Sequence, residues 1–184
     1  ARAIAEVQNL KIRNLKTLVI KPELDTRDGG YICSRLIKDK VKADILLKPE
    51  ESLDIKHIVS NHYDYIVADE FHMLSEQQIN ELYKLSAIST VNVSIYGLRM
   101  SWKGTPFPCA ALALSYADEI EIIRMVDKDQ NTLNHHIKYT NGVPTPLTSD
   151  ENSIVIGDLD QTSYATVSKH DFYKIYKMLG QVEE

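Results

Sequence analysis

Short apolar strands alternate with amphipathic helical segments over residues 1 to 126. This predicts an α/β fold with a mostly parallel sheet flanked by helices, and a small β-rich subdomain with a C-terminal helix over residues 127 to 184. Three observations carry the prediction. Tyr65-Ile66-Val67-Ala68 is an uncharged apolar run that ends in the adjacent carboxylates Asp69 and Glu70; such runs suit strands buried on both faces of a parallel sheet. Loops follow residues 20, 68 and 96, and they converge on the carboxyl edge of that sheet, where open α/β sheets bind ligands. Beyond residue 126 the chain turns polar, with turn signals at Asn141-Gly142 and Pro144-Thr145-Pro146.

Composition bounds the function. A chain of 184 residues, 43% hydrophobic, holds one domain with a real core and a small appendage. A net charge of −5 gives no footprint for sequence-independent nucleic-acid binding, so none is expected. No apolar run approaches the roughly 18 residues of a membrane span, and Ala1-Arg2-Ala3-Ile4-Ala5-Glu6 does not read as a secretory signal. Cys33 and Cys109 stand alone, outside any C-x-x-C; a single disulfide is formally open to them, but reduced thiols in a cytoplasmic protein are the expectation.

The elements follow in order. Ile4, Val7, Leu10 and Leu15 mark an amphipathic helix to about residue 14, which starts without a cap. Lys16-Thr17-Leu18-Val19-Ile20 is a strand closed by Lys21-Pro22, and Asp25-Thr26-Arg27-Asp28-Gly29-Gly30 is a polar loop at its end. Residues 31 to 34 and 43 to 47 are expected to pair as strands, with basic residues 35 to 41 as a solvated hairpin or loop between them. Residues 51 to 61 read as a helix leading into the strand before Asp69. Ser75 and Gln78 have capping-box spacing, and Ile79, Leu82, Leu85 and Ile88 supply the apolar face of the helix that follows. A strand over residues 91 to 96 runs into the loop at 97 to 104. A helix over 109 to 117, a strand over 119 to 126, a strand over 154 to 157 and a last helix near 168 to 179 complete the chain.

The carboxylate pair admits two readings. Asp69 could hold hydrated Mg²⁺ on nucleotide phosphates while Glu70 takes a proton from an attacking hydroxyl. Equally, both could favour the start of the next helix electrostatically.

Several blocks in register resemble one family, the cytosolic thymidine kinases of the RecA-like P-loop class, in their bacterial and phage branch. These are Leu18-Val19-Ile20-Lys21-Pro22 with Asp25-Thr26-Arg27, Cys33-Ser34-Arg35, and Asp69-Glu70-Phe71-His72. They continue with Tyr96-Gly97-Leu98-Arg99, Trp102-Lys103-Gly104, Phe107, Val155-Ile156-Gly157-Asp158 and Tyr164. The resemblance implies a RecA-like P-loop kinase core with a C-terminal lasso subdomain. It implies transfer of the ATP γ-phosphoryl group to the 5′-hydroxyl of thymidine or deoxyuridine with Mg²⁺, by a homotetramer. Glu70 matches the general base, and Asp69 the aspartate that holds Mg²⁺ through water. Asp25 and Arg27 match the loop facing the phosphates, with Arg27 suited to transition-state charge. His72, Met73, Leu98, Trp102, Gly157, Asp158 and Tyr164 match positions around the nucleoside.

The departures shape the expectation. Every glycine lies at residue 29 or later and no G-x-x-x-x-G-K-[ST] occurs. In the family that loop precedes the helix that Ala1 opens, so the sequence is expected to be cut or split there. The alternative is a catalytically silent relative used for nucleotide binding or assembly. Zinc is not expected, because Val126-Asp127-Lys128-Asp129-Gln130 and Ser168-Lys169-His170-Asp171-Phe172 stand where the family carries its cysteines. His135, His136 and His170 read as solvated surface, with Leu133, Ile137, Tyr139 and Ile154 as packing for the appendage instead. His72 and Met73 stand where the family has Gln and Phe, and Trp102 where it has Phe. With the longer spacing from Asp158 to Tyr164, these changes leave base preference open.

Overall fold

The computed structural model describes residues 1–34, 36–149 and 161–182. The chain divides into two compact units, residues 1–98 with 108–116, and residues 99–107 with 117–184.

The first unit is built on a four-stranded parallel sheet. Its strands are β1 (Thr17–Pro22), β4 (Ile45–Leu47), β5 (Tyr65–Ala68) and β6 (Asn92–Ile95), in the order β4-β1-β5-β6. Helix α1 (Arg2–Ile12) buries Ala3, Ile4, Val7 and Leu10 in a cluster with Val19 of β1 and Val67 of β5. Its predicted apolar stripe is the one that packs, and Ala1 gives it no side-chain cap. Helix α2 (Ile55–Ser60) is capped by the Asp54 carboxylate, which accepts the His57 amide. A 3₁₀ turn (Phe71–Met73) leaves β5 and leads to α3 (Glu76–Ile88).

The capping box at α3 forms as the spacing predicts. Ser75 Oγ accepts the Gln78 amide, and Gln78 Oε1 accepts the Ser75 amide. Ile79, Leu82 and Leu85 are buried, whereas Ile88, in the last turn, is exposed. Helix α4 (Pro108–Tyr116) completes this unit.

The expected pairing of residues 31–34 with 43–47 is corrected. Strand β2 (Tyr31–Ile32) pairs antiparallel with β3 (Val41–Lys42), while β4 joins the main sheet parallel to β1. The reason is local. Asp44, between β3 and β4, accepts the Val19 amide and donates its own amide to Val19 O, which turns the chain out of the hairpin and onto β1.

The second unit is antiparallel. Strand β8 (Thr132–Thr140) lies between β10 (Thr162–Ser168) and the short β7 (Met125–Val126), with β9 (Val143–Pro144) also on β8. Helix α5 (Lys169–Met178) sets Phe172 and Tyr176 against Ile137, with Tyr139 packed at the edge of the cluster. Among the packing residues expected here, Ile137 is fully buried and Leu133 half-buried; Ile154 lies outside the described residues. His135 is no solvated residue, since its ring packs 4.9 Å from that of Phe172.

The strand expected over 119–126 shrinks to Met125–Val126. Glu119-Ile120-Glu121-Ile122-Ile123 alternates like a strand, yet Ile120, Ile122 and Ile123 are exposed and, among the described residues, no ladder includes them. Alternation records a tendency, and a strand needs a neighbour to hydrogen-bond. Among the described residues no helix is long and apolar enough to cross a membrane.

Candidate active site

The carboxyl ends of β1 and β5 bring the acidic and basic candidates of the first unit together. β1 and β5 are paired in register from Thr17–Tyr65 to Ile20–Ala68, and β1 runs on to Pro22 beside β4. Beyond that level, the Asp69 amide donates to Ile20 O at 3.1 Å. Glu70 then takes a left-handed conformation, φ 51° and ψ 40°. A residue with a Cβ pays about 1–2 kcal/mol to sit there, and such outliers cluster where a side chain must be aimed.

Four charges alternate in sign across this edge. Lys21, buried at the end of β1, places Nζ 3.1 Å from Asp25 Oδ2 and donates to Tyr31 O at 2.9 Å. Asp25 Oδ1 accepts Arg27 Nε at 2.6 Å, and Arg27 Nη2 donates to Glu70 Oε1 at 2.9 Å. The two inner charges are far from water, with Lys21 and Asp25 side chains 1% and 3% exposed. Arg27 and Glu70, at 36% and 26%, face outward.

The site sets proton affinities in opposite directions. Burial alone would push Asp25 up, but the hydrogen bonds and charges of Arg27 and Lys21 outweigh it and hold its carboxyl below the ordinary value. Burial pushes Glu70 up, and the neighbouring Asp69 charge adds to this against the pull of Arg27. Burial likewise raises Asp69, with Asp25 adding, although a hydrogen bond from the Glu70 backbone offsets part of it. Arg27 holds its proton more tightly than free arginine, first because of its bond to Asp25. The arrangement is a fixed carboxylate holding an arginine, beside two carboxylates that favour either a proton or a cation.

His72 and Met73 are buried in the 3₁₀ turn after Glu70, and Leu98, 40% exposed, follows β6. His72 Nδ1 accepts the Leu98 amide at 3.2 Å. In the second unit, Trp102 is buried, with Lys103 Nζ and Lys138 Nζ 5.4 and 5.3 Å from its ring centroid. Tyr164 stands on β10 opposite Lys138, and burial raises its hydroxyl. Gly157 and Asp158 lie outside the described residues, as does Arg35.

Two residues that reading the sequence did not single out help build the site. Lys21 is a lysine inside the apolar strand Leu18–Pro22, and a cation at such a place implies a buried partner, which is the signal that could have found it. Cys109, on α4, places Sγ 3.4 Å from His72 O and 3.7 Å from Phe71 O, beneath the turn that follows Glu70. No local pattern announces that contact. Among the described residues, no three of His, Cys, Asp or Glu cluster as metal ligands.

The thymidine kinase family model matches residues 1–172. The chain is 30% identical over 118 residues to a thymidine kinase of Legionella pneumophila (strain Lens), a match covering 61% of this chain and 55% of that protein. It is 26% identical to the thymidine kinase of Mycoplasma genitalium over 93% of this chain and 76% of the relative. To the thymidine kinase of Xanthomonas axonopodis pv. citri it is 25% identical, over 98% of this chain and 86% of the relative.

Proposed function

The chain belongs to the thymidine kinase family, and from that premise we propose that it transfers the γ-phosphoryl group of ATP to the 5′-hydroxyl of thymidine or deoxyuridine. The observation that carries the reading is the left-handed Glu70 at the end of β5, its carboxylate raised in proton affinity and held 2.9 Å from Arg27. A general base works best when its proton affinity approaches the working pH, and burial beside Asp69 moves Glu70 that way.

In this reading the 5′-oxygen forms a bond to the γ-phosphorus while the bond from that phosphorus to the bridging oxygen of ADP breaks. The hydroxyl proton passes to the Glu70 carboxylate. Arg27, kept cationic and oriented by Asp25, stabilises charge on the transferring phosphoryl group. Lys21 keeps Asp25 ionised, so Arg27 stays aimed. Oxygen ligands suit Mg²⁺, and the unfavourable Asp69–Asp25 repulsion in a buried setting is one a cation relieves. Asp69 would hold Mg²⁺ through water, where the ion supplies charge neutralisation to the phosphates. Met73 and Leu98 are proposed nucleoside contacts, as are Trp102, Tyr164, Gly157 and Asp158; a homotetramer in the cytoplasm is the proposed working form.

Glu70→Gln tests the reading. Turnover of thymidine should fall by about 10²–10⁴-fold, the usual worth of a positioned base, while nucleoside binding by calorimetry stays within a factor of about three. A Glu70→Gln protein with wild-type turnover overturns the role. Loss of ATP binding in the wild-type protein would instead favour a silent, assembly-type relative.

A further inference from the structure

The turn that carries Glu70 is tied to the loop after β6 by a ladder that outlasts the strands. The last regular rung is the Tyr96 amide donating to Ala68 O at 2.8 Å, and next the Phe71 amide donates to Tyr96 O at 2.9 Å. The following level is different. There the Leu98 amide donates to His72 Nδ1 at 3.2 Å, so an imidazole nitrogen takes the role of a carbonyl. Gly97 makes room for it. A Cβ at residue 97 would stand 3.0 Å from His72 Nδ1 and 2.9 Å from Phe71 Cδ1.

A backbone amide can only donate, so this bond requires an acceptor on the ring. Nδ1 must offer a lone pair, so the neutral imidazole carries its proton on Nε2. The same Nδ1 lies 3.5 Å from Glu70 Oε2.

We propose that His72 is a positioning residue, its Nδ1 accepting the Leu98 amide so that it ties the Glu70 turn to the loop after β6. Its consequence rests on the kinase reading, because the tie holds the turn that aims the proposed base. Among the described residues, Arg27 and Asp25 from the loop after β1, the neighbouring Asp69 and His72 lie against Glu70.

The tautomer is read directly in the unmodified protein by ¹⁵N NMR of the histidine ring. A proton on Nε2 alone at neutral pH is expected, and one on Nδ1 overturns the proposal. Amide hydrogen exchange at Leu98 gives the second measurement. His72→Phe keeps a ring without an acceptor and should speed Leu98 exchange about tenfold, the worth of one buried hydrogen bond. His72→Gln, which offers a side-chain carbonyl, should restore the rate to within about threefold. Equal exchange in His72→Phe and wild type overturns the tie.

Both measurements are made without substrate, so they stand or fall apart from the kinase reading. In turnover, His72→Phe should lower kcat about tenfold with KM changed less than about threefold, and His72→Gln should recover kcat. A common loss of kcat in the Phe and Gln variants would reduce His72 to packing and overturn the positioning role.

Discussion

Each of the two units buries a lysine, and each gives it different surroundings. In the first, Lys21 meets the Asp25 carboxylate at 3.1 Å, and a further arginine and glutamate extend the alternation outward. In the second, Lys138 on β8 is equally buried, and its Nζ lies over the face of Trp102. The first arrangement lies at the carboxyl edge of the parallel sheet, and the second belongs to the unit whose core holds Ile137, Phe172 and Tyr176.

The largest test of that contrast is Phe172→Ala. It removes a buried ring that contacts His135, Tyr173 and Tyr176, and should cost about 3–5 kcal/mol by chemical denaturation. A loss under about 1 kcal/mol would break the claim that packing holds the second unit.

Arg27→Gln is next, and should act on the other axis. Turnover should drop about a hundredfold, equivalent to about 2.7 kcal/mol of transition-state stabilisation, with little change in melting temperature because the side chain is partly exposed. Steady-state kinetics beside a melting curve decides it. Equal losses in both would make Arg27 structural.

A pH profile sharpens the comparison further. Glu70 is raised above its ordinary value of 4.5, and a general base works deprotonated, so kcat/KM should rise with pH through a value above 4.5. Arg27→Gln removes a cation that lowers Glu70, so the acid limb should move up. For stability the signs separate. Asp25 is lowered in the folded state, so its contribution is present above 3.8 and is lost as pH falls from there through the lowered value. Glu70 is raised, so its contribution falls as pH climbs from 4.5 through the raised value. Melting of Asp25→Asn against wild type from pH 2 to 7 should show the curves converging at the acid end.

The smallest effect expected is at the α3 cap. Ser75→Ala removes one half of the capping box and should cost about 1 kcal/mol in denaturant, leaving kinetics unchanged.

Much of the first unit was legible because its signals are local. The stripe Ile4, Val7, Leu10 faces the sheet, the Ser75–Gln78 spacing closes into a capping box, and Ile66, Val67 and Ala68 are buried as the uncharged run implies. The joining of Asp25, Arg27 and Glu70 was expected only through a resemblance, because 43 positions separate Arg27 from Glu70. Periodicity carries no information across that distance. Where local signals failed they failed for want of a partner. Residues 119–123 alternate correctly but gain no ladder among the described residues, and 43–47 left the expected hairpin because β1 competes better for them.

By itself the sequence determined the alternation of elements, the apolar faces, the capping box and the residue types at the end of β5. Those depend on contacts within a few residues, which composition and spacing encode directly. Tertiary structure alone decided that Lys21 is the buried cation behind Asp25, that Cys109 lies beneath the Glu70 turn, and that His72 accepts from Leu98. Each depends on how neighbouring strands are registered, and strand register is a property of the assembled sheet that neither strand carries alone.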